Sequence, residues 1–425
     1  MRASRAAAAA LLLLPLACGG ADDRPVITLP GSAVGAEAEL LRRQIDRFTK
    51  EHPGIRVELQ RTPDDATQRH QLYVQRLNAR SDDPDILQLD VIWTPEFAAA
   101  GWLLPLDRFD ADTTAFFRPT VEANVWDDTL YAIPWFVDVG MLYWRTDLLD
   151  APPETMEALV EAARRGKRPA EAVTRGIVWQ GARYEGLVTV FLEYLGGFGG
   201  EILADDGTVV VDSPEAVEAL SFMRDQIHRW DVAPEQVLTW HEEETRFAFQ
   251  NGTAVMMRNW PYAYALMSGE DSRVAGRFAV APMPAAPGGE PTVALGGSQL
   301  AISAHSDAPE HAWALLEFLT APEQMLERAV VAGQFPTRPA LFDDPALDEV
   351  LAIPAERARE IIERATARPV TPIYTQLSEI LQIQLHRALV GQAEPADALE
   401  TAAEGMRRAI EETGVRDLRR REGAR

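Results

Sequence analysis

The chain has 425 residues, of which 47% are hydrophobic and 25% are charged, and its formal net charge is −24 at pH 7. This length and composition exclude a small stapled or disordered protein and suffice for two domains, each with a buried core. The negative charge repels phosphate backbones and anionic membrane surfaces, and no long Lys/Arg run offers a local exception. We therefore expect no nucleic-acid partner.

The N-terminus has the pattern of a signal peptide. Two arginines precede an apolar run over residues 6–14, which is too short to cross a hydrocarbon core of roughly 30 Å. Cys18, the only cysteine, follows in a setting that resembles a lipobox, although Pro15 stands where that motif usually has Leu. We predict a lipoprotein signal peptide over residues 1–18 that ends in a lipidated cysteine, with a tether over residues 19–25. The alternative is a plain secretory signal with an incidental cysteine.

Strand and helix patterns alternate from the start of the mature chain. Hydrophobic period and turn residues identify each element. The predicted elements are a strand at Val26 to Leu29, a helix with Leu40, Leu41, Ile45 and Phe48, a strand at Ile55 to Leu59, a helix with Leu72 and Leu77, and a strand ending near Asp90. This alternation favours an α/β fold with ligands held at strand ends.

The rest of the chain predicts a second lobe and a return to the first. Residues 130–145 are dense in aromatics and are a candidate hinge crossing. Residues 153–272 carry several amphipathic helices, which we assign to a second lobe. A strand over residues 293–303 and a helix over residues 309–319 suit a second crossing back, and residues 355–412 are predicted to be largely helical.

Motifs that would carry catalysis fail on inspection. The run Gly296-Gly297-Ser298-Gln299-Leu300 lacks the closing glycine of a nucleophile elbow, and the glycine-rich residues 196–200 lack the Lys-Ser/Thr pair that holds phosphate. The run His241-Glu242-Glu243 has no second histidine four residues along, so it does not support a zinc helix. We predict no enzymatic activity, no cofactor and no metal site.

Ten tryptophans are present, and several lie close to carboxylates or amides. Trp135 precedes Asp138 by three residues, and Trp260 follows Asn259. A pyranose has an apolar C–H face that can lie on an aromatic ring, while its hydroxyls need fixed donors and acceptors. This makes Trp135 and Trp260 candidates for contact with a sugar, whereas we expect most of the other tryptophans to fill cores or a lobe interface.

Segments spread along nearly the whole chain carry a resemblance to a known group of proteins. They are residues 37–54, Ser81-Asp82-Asp83-Pro84-Asp85 with Asp90-Val91-Ile92-Trp93, Gly101 to Asp107, Trp179 to Leu187, Arg258 to Ala263, Leu295-Gly296-Gly297 and Arg368 to Ile380. In order and spacing they resemble the extracellular sugar-binding proteins of ABC importers (solute-binding protein family 1), most closely the trehalose- and maltose-binding members.

The resemblance implies a type II periplasmic-binding-protein-like α/β fold, with two lobes, crossing segments between them and a ligand cleft. It places residues 26–136 and 298–345 in the N-terminal lobe and residues 137–297 and 346–425 in the C-terminal lobe. It also implies a monomer, outside the cytoplasm and on the membrane through its lipid anchor alone. Its cleft would close over a sugar, a disaccharide such as trehalose or maltose, and the closed form would dock on the permease subunits.

Polar site residues follow from the resemblance, position by position. One lobe would supply Glu37, Arg69 and Asp90, and the other would supply Asp138, Glu242 and Arg368 to bond sugar hydroxyls. For two of these residues, Glu37 and Arg69, the alternative is a solvated charge on a helix. Asp90 and Arg368 stand in otherwise apolar or proline-rich surroundings, where a solvated charge is less expected.

The remaining site residues are those that would contact the sugar through rings and backbone. Trp260 would stack on a ring, and Gly297 would offer backbone groups. Phe136 and Ser298 stand where the trehalose and maltose binders carry Tyr and Trp, so one hydroxyl and one stacking surface are missing. Because a lost ring contact costs about 1–3 kcal/mol, this difference would change the ligand preference rather than abolish binding.

Two other classes of function stay open at this point. A glycoside hydrolase would need a carboxylate pair, such as Glu242 and Asp138, in which one acid has a raised pKa. A binder of another solute class, such as a peptide or a polyamine, would use the same cleft. Arg69 and Arg368 in the expected pocket argue against a cationic ligand.

Overall fold

The computed structural model describes residues 24–31, 36–204, 206–351 and 353–414. The predicted signal peptide with Cys18, and residues 19–23 of the predicted tether, lie outside the described residues, so both stay predictions. Within these four ranges, no helix combines the length and the apolar character that a membrane span requires.

The strands form two four-stranded sheets, a parallel pair and a small hairpin. They are β1 (Val26–Gly31), β2 (Arg56–Arg61), β3 (Ile86–Asp90), β4 (Val125–Trp126), β5 (Thr129–Leu130), β6 (Ala132–Val139), β7 (Met141–Arg145), β8 (Arg175–Val178), β9 (Ala254–Asn259), β10 (Phe278–Ala281), β11 (Leu295–Ile302) and β12 (Phe335–Pro336). The first sheet has the order β12-β6-β11-β3 and antiparallel pairing throughout. The second has the order β10-β7-β9-β8, in which β8 and β9 are parallel.

Helices surround both sheets. They are α1 (Glu37–Glu51), α2 (Ala66–Asn78), α3 (Thr94–Ala99), α4 (Arg118–Glu122), α5 (Met156–Gly166), α6 (Glu185–Gly197), α7 (Pro214–His228), α8 (Glu242–Gln250), α9 (Tyr262–Ser268), α10 (Pro309–Leu319), α11 (Pro322–Ala332), α12 (Pro345–Val350), α13 (Ala355–Arg364), α14 (Tyr374–Leu389) and α15 (Pro395–Thr413). Short 3-10 helices lie at Leu106–Phe109, Pro169–Glu171, Glu235–Thr239 and Pro339–Asp343. The predicted alternation of strands and helices is thereby confirmed.

The first sheet is packed on both faces because its side chains alternate along each strand. On β3, Ile86 joins one apolar core, and Leu87 and Leu89 join another on the opposite face. The first of these cores includes the buried apolar side chains along one face of α1. This helix ends before Pro53, as predicted. The second sheet packs in a third core, to which α6 and α14 contribute, and this core extends to Val137 and Phe335 of the first sheet. The two sheets, each with its own helices, define two lobes.

Three segments connect the lobes at one place. Strand β6 of the first sheet runs into β7 of the second, and β11 returns beside β6. Both of these crossings were predicted. The expected lobe boundaries, 136/137 and 297/298, fall inside β6 and β11. A strand that continues from one lobe to the other does not mark an exact boundary, so these positions stay a prediction. The third segment passes through Thr366, which donates its N–H to the carbonyl of Val293 at 2.8 Å and accepts from the N–H of Leu295 at 2.9 Å.

A buried ion pair lies beside the first crossing. The guanidinium of Arg258 and the carboxylate of Glu193, both fully buried, form two hydrogen bonds of 2.5 and 2.8 Å. Arg258 also donates to the side-chain oxygen of Gln180 at 3.2 Å. Gly140, the residue between β6 and β7, leaves the space that this carboxylate occupies, because a Cβ there would lie 1.6 Å from Oε1 of Glu193. The crossing is therefore packed directly on the ion pair.

We predict that Glu193→Ala lowers the free energy of unfolding by about 3–5 kcal/mol, because it leaves the buried guanidinium of Arg258 without its counter-charge. Urea denaturation at pH 7 measures this change. The control is Glu39→Ala, which removes an exposed carboxylate from the i,i+4 pair with Arg43 and should cost less than about 1 kcal/mol. Equal losses in the two variants would show that the pair is not a structural support.

Candidate functional site

A cavity of about 420 Å³ lies between the two lobes. Pockets of roughly 300–1,000 Å³ are typical of sites for small organic ligands. All ten residues that the sequence analysis proposed for ligand contact line it: Glu37, Arg69, Asp90, Phe136, Asp138, Glu242, Trp260, Gly297, Ser298 and Arg368. The structure thus brings the ten together, and their contact with a ligand stays a prediction. Nowhere in the described ranges are three or more His, Cys, Asp or Glu side chains arranged to hold a metal ion.

Arg368 connects the two lobes at the cavity wall. Its guanidinium donates to Oδ1 of Asp90, at the end of β3, and to Oε1 of Glu185, at the start of α6, both at 2.8 Å. Burial of Arg368 lowers its pKa, but the carboxylates of Asp90 and Glu185 outweigh burial and raise the pKa above its ordinary value. Glu185 also accepts from the hydroxyl of Tyr374 at 2.7 Å. The carboxylate of Asp90 is therefore held in a fixed orientation at the cavity wall.

Asp138 lies on β6, in the first sheet and one residue short of the strand's end. Its Oδ1 is buried and makes no hydrogen bond to any described residue. Burial, together with the charges of Glu37 and Asp90, raises the pKa of Asp138 to about 7, against an opposing effect of Arg328 and Arg258. The raised pKa favours the protonated form of this carboxyl group, which can donate a hydrogen bond as well as accept one.

Trp260, directly after β9, presents an aromatic ring to the cavity. The guanidinium carbon of Arg258 lies 3.9 Å from the ring centroid, so one face of the ring is covered. The indole N–H donates to Oε1 of Glu242 at 3.4 Å. A Cβ at Gly296 would lie 3.2 Å from the ring, so a side chain there would crowd it. Ring and carboxylate are thus held side by side in the second lobe.

A bulge in β6, opposite β11, shapes the wall around Gly297 and Ser298. The register of β11 against β6 shifts between Ser298 and Gln299. Gly297 has a φ of +116°, and a Cβ there would lie 2.3 Å from the carbonyl oxygen of Phe136. This position therefore requires glycine. The next residue, Ser298, is buried and lies opposite both Phe136 and Asp90 in the sheet.

Glu37 and Arg69, for which the alternative was a solvated charge on a helix, both contact other protein groups. Glu37 is buried, not solvated, and accepts from the buried guanidinium of Arg328 at 3.2 Å. Arg69 donates to the carbonyl of Pro63 at 3.0 Å and lies over the ring of Trp93, and its Nε is buried without a partner among the residues described. Arg69 therefore keeps a free donor, whereas Glu37 is largely engaged.

The candidate Trp135 does not line the cavity. It is 1% exposed, and the guanidinium carbon of Arg328 lies 3.8 Å from its ring centroid within the first lobe. It is the extra residue of the bulge in β6, since Phe136 pairs with Ser298 and Pro134 pairs with Gln299, and no sequence pattern reveals that bulge. Trp135 is therefore a core residue.

Several lining residues were missed in the sequence. Gln88 lies two residues before Asp90 on the same face of β3, so the period of two residues in a strand could have identified it. Tyr184 lies within a segment that carries the family resemblance, and burial with the nearby Glu242 carboxylate raises its pKa well above the ordinary value. No sequence pattern predicted that His241 and Asp65 lie together in the cavity wall, because their proximity depends on how the two lobes pack.

His241 and Asp65 form an ion pair between the lobes. Nε2 of His241, just before α8, lies 3.2 Å from Oδ2 of Asp65, the N-cap of α2. The hydrogen bond to Asp65 raises the pKa of His241, although burial opposes it, and the charges of Glu242 and Glu244 act in the same direction. Burial raises the pKa of Asp65, but hydrogen bonds from His241 and a backbone N–H lower it below its ordinary value overall. The ring of Tyr184 packs against the imidazole at 4.3 Å.

Comparison with known proteins identifies the family. A profile described as "Bacterial extracellular solute-binding protein" matches residues 33–326. A protein of Deinococcus radiodurans, described as a probable ABC transporter-binding protein, is 36% identical over 408 residues, which cover 92% of this chain and 96% of that protein. The family and its members are binding proteins, so the prediction of no enzymatic activity is confirmed and the glycoside hydrolase alternative is set aside.

Solved structures give the same result for the fold. The structure of maltose-bound T. maritima MalE3 is 42% identical, with a TM-score of 0.86, and covers 91% of this chain and 99% of that one. A solute-binding protein of Thermotoga lettingae, bound with alpha-D-tagatose, is 26% identical, with a TM-score of 0.82. The match covers 91% of this chain and 100% of that one. The predicted two-lobe α/β fold and the family resemblance are thereby confirmed.

The ion pair between His241 and Asp65 predicts a pH-dependent stability. A raised histidine pKa adds stability below pH 6.5 that is lost as pH rises through the folded-state pKa. A lowered aspartate pKa adds stability above pH 3.8 that is lost as pH falls through the folded-state pKa. The pair therefore stabilises most between about pH 4 and 6.5. We expect His241→Gln to lower the melting temperature more at pH 5.5 than at pH 8.5.

The matched variant for this test is Asp65→Asn, which keeps an oxygen for the N-cap hydrogen bond to Gln68 and removes the charge. Differential scanning fluorimetry across pH should give both variants the same profile. A melting-temperature loss that is independent of pH would contradict the ion pair.

Proposed function

The chain belongs to the family of bacterial extracellular solute-binding proteins, and from this premise we propose that its cleft captures a sugar for an ABC-type importer. The proposed ligand is a disaccharide such as maltose or trehalose, released unaltered to the permease subunits. In this proposal the protein works outside the cytoplasm as a monomer, and a lipid on Cys18 holds it to the membrane.

The observation that carries the proposal is the pairing of an aromatic ring with unsatisfied polar atoms in one cavity. Trp260 offers a ring, and within the described residues the buried Oδ1 of Asp138 and the Nε atoms of Arg69 and Arg368 have no partner. A sugar has complementary groups, since its C–H face packs on a ring and its hydroxyls both donate and accept. Apolar solutes would leave these polar atoms unpaired, at a cost in free energy.

Size and relatives support a sugar of two rings. A cavity of about 420 Å³ is in the range that encloses small organic ligands. The T. maritima protein with 42% identity is described as maltose-bound, and the Thermotoga lettingae protein as bound with a monosaccharide, tagatose. The higher identity goes with the disaccharide. Maltose is therefore the first ligand to test.

Closure of the lobes is the proposed mechanism of capture. A ligand shifts a population of open and closed forms only by its differential affinity, which requires contacts with both lobes. The first lobe offers Asp90 and Ser298, and the second offers Trp260 and Glu242. Since no bond is broken, the sugar would be recovered chemically unchanged.

We predict that Trp260→Ala weakens the binding of maltose or trehalose by about tenfold or more, because it removes a ring contact worth roughly 1–3 kcal/mol. Isothermal titration calorimetry measures the affinity. The control is Trp313→Ala, which removes a ring stacked on Phe109 away from the cavity and should leave the affinity unchanged.

Two results would contradict the proposal. One is an affinity that Trp260→Ala leaves at the wild-type value. The other is thermal stabilisation of the wild-type protein by spermidine or a tripeptide, with none by either disaccharide. A true ligand at a hundred times its dissociation constant should add about 2.7 kcal/mol of stability.

A further inference from the structure

A buried glutamine in the cavity wall has an amide oxygen without a partner. Gln88, on β3, is 3% exposed, and its Nε2 donates to Oγ of Ser298 at 3.1 Å. Its Oε1 makes no hydrogen bond to any residue that the structure describes. Both side chains line the cavity. Because an unpaired buried acceptor costs free energy, a ligand that donates to this oxygen would recover that free energy.

Other buried glutamines show that this arrangement is specific to the cavity. Gln180, in the second lobe, pairs both ends of its amide with neighbouring groups. Gln44 and Gln299 each have one amide atom without a partner in the described ranges, but neither residue lines the cavity. Gln88 combines an unpaired acceptor with a place in the cavity wall.

Ser298 adds a donor beside this acceptor. Its oxygen accepts from Gln88, so its own hydroxyl proton is available for another acceptor. The bulge in β6 that faces Ser298 and Gln299, together with the glycine before Ser298, fixes the backbone that carries this hydroxyl. One acceptor and one donor side by side are the complement of a single sugar hydroxyl, which both donates and accepts.

We propose that Gln88 and Ser298 form a subsite that recognises one hydroxyl of the sugar and thereby determines which sugars the cleft accepts. The ligand hydroxyl donates to Oε1 of Gln88 and accepts from the hydroxyl of Ser298. A sugar that lacks this hydroxyl leaves the buried Oε1 unpaired and is bound more weakly. This inference rests on the proposed function, which it makes more specific by adding Gln88 and by giving Ser298 a defined role in specificity.

The experiment uses whichever of maltose and trehalose binds more tightly, together with its monodeoxy analogues, in isothermal titration calorimetry. With wild type, we expect one analogue to bind about tenfold or more weakly than the parent sugar, which corresponds to about 1.4 kcal/mol. Gln88→Met has a similar volume and no amide, so it should lose a similar factor for the parent sugar. It should also bind that one analogue as well as the parent, because the two changes remove the same hydrogen bond.

Two further variants make the result interpretable. Ser298→Ala should show the same selective loss, and it carries the test if Gln88→Met does not fold. Gln44→Met alters a buried glutamine outside the cavity and should change stability but not the order of the analogues.

The outcomes separate the subsite from the proposed function. A wild-type protein that binds neither disaccharide contradicts the proposed function and the subsite with it. A wild-type protein that binds sugar, together with Gln88→Met and Ser298→Ala variants that keep its affinity and its order of analogues, contradicts the subsite alone.

Discussion

The guanidinium of Arg368 is the contact on which the cleft depends. It is 3% exposed and bonds a carboxylate from each lobe, Asp90 from the first and Glu185 from the second. A charge so deeply buried is tolerated only when its partners are well placed, and the loss of either would leave the other groups uncompensated. The third crossing, at Thr366, brings Arg368 to this position. The same residue therefore joins the lobes and keeps a buried Nε that has no partner among the residues described.

The contacts between the lobes bear on the proposed closure. The two sheets pack mainly in different apolar clusters, although Val137 and Phe335 of the first sheet belong to the cluster of the second. The three crossings lie together, and one is packed on the buried pair of Glu193 and Arg258. The lobes also meet through His241 and Asp65, a partly exposed pair whose strength depends on pH, and through the hydroxyl of Thr375, which donates to Glu96 at 2.6 Å.

The sequence predicted the elements better than the contacts between them. The spacing of apolar residues identified α1 and the end of β3, because a buried face requires apolar side chains at regular intervals. The ten proposed site residues all line the cavity because the resemblance carried spatial relations that composition does not. Trp135 was a poor candidate, since a bulge cannot be read from the sequence. The pairing of His241 with Asp65 depends on segments far apart in the chain and was likewise beyond local patterns.

Departures from the pattern of relatives become interpretable once the cavity is known. Ser298, where the resemblance leads us to expect a ring, accepts a hydrogen bond from Gln88, so this part of the wall offers polar groups. The most direct test of the central claim is a crystal structure of the protein grown with maltose. It should show an intact disaccharide between the lobes, with one ring against Trp260 and hydroxyls on Asp90 and Gln88. An empty cleft, or a sugar bound on the outer surface of one lobe, would contradict the account.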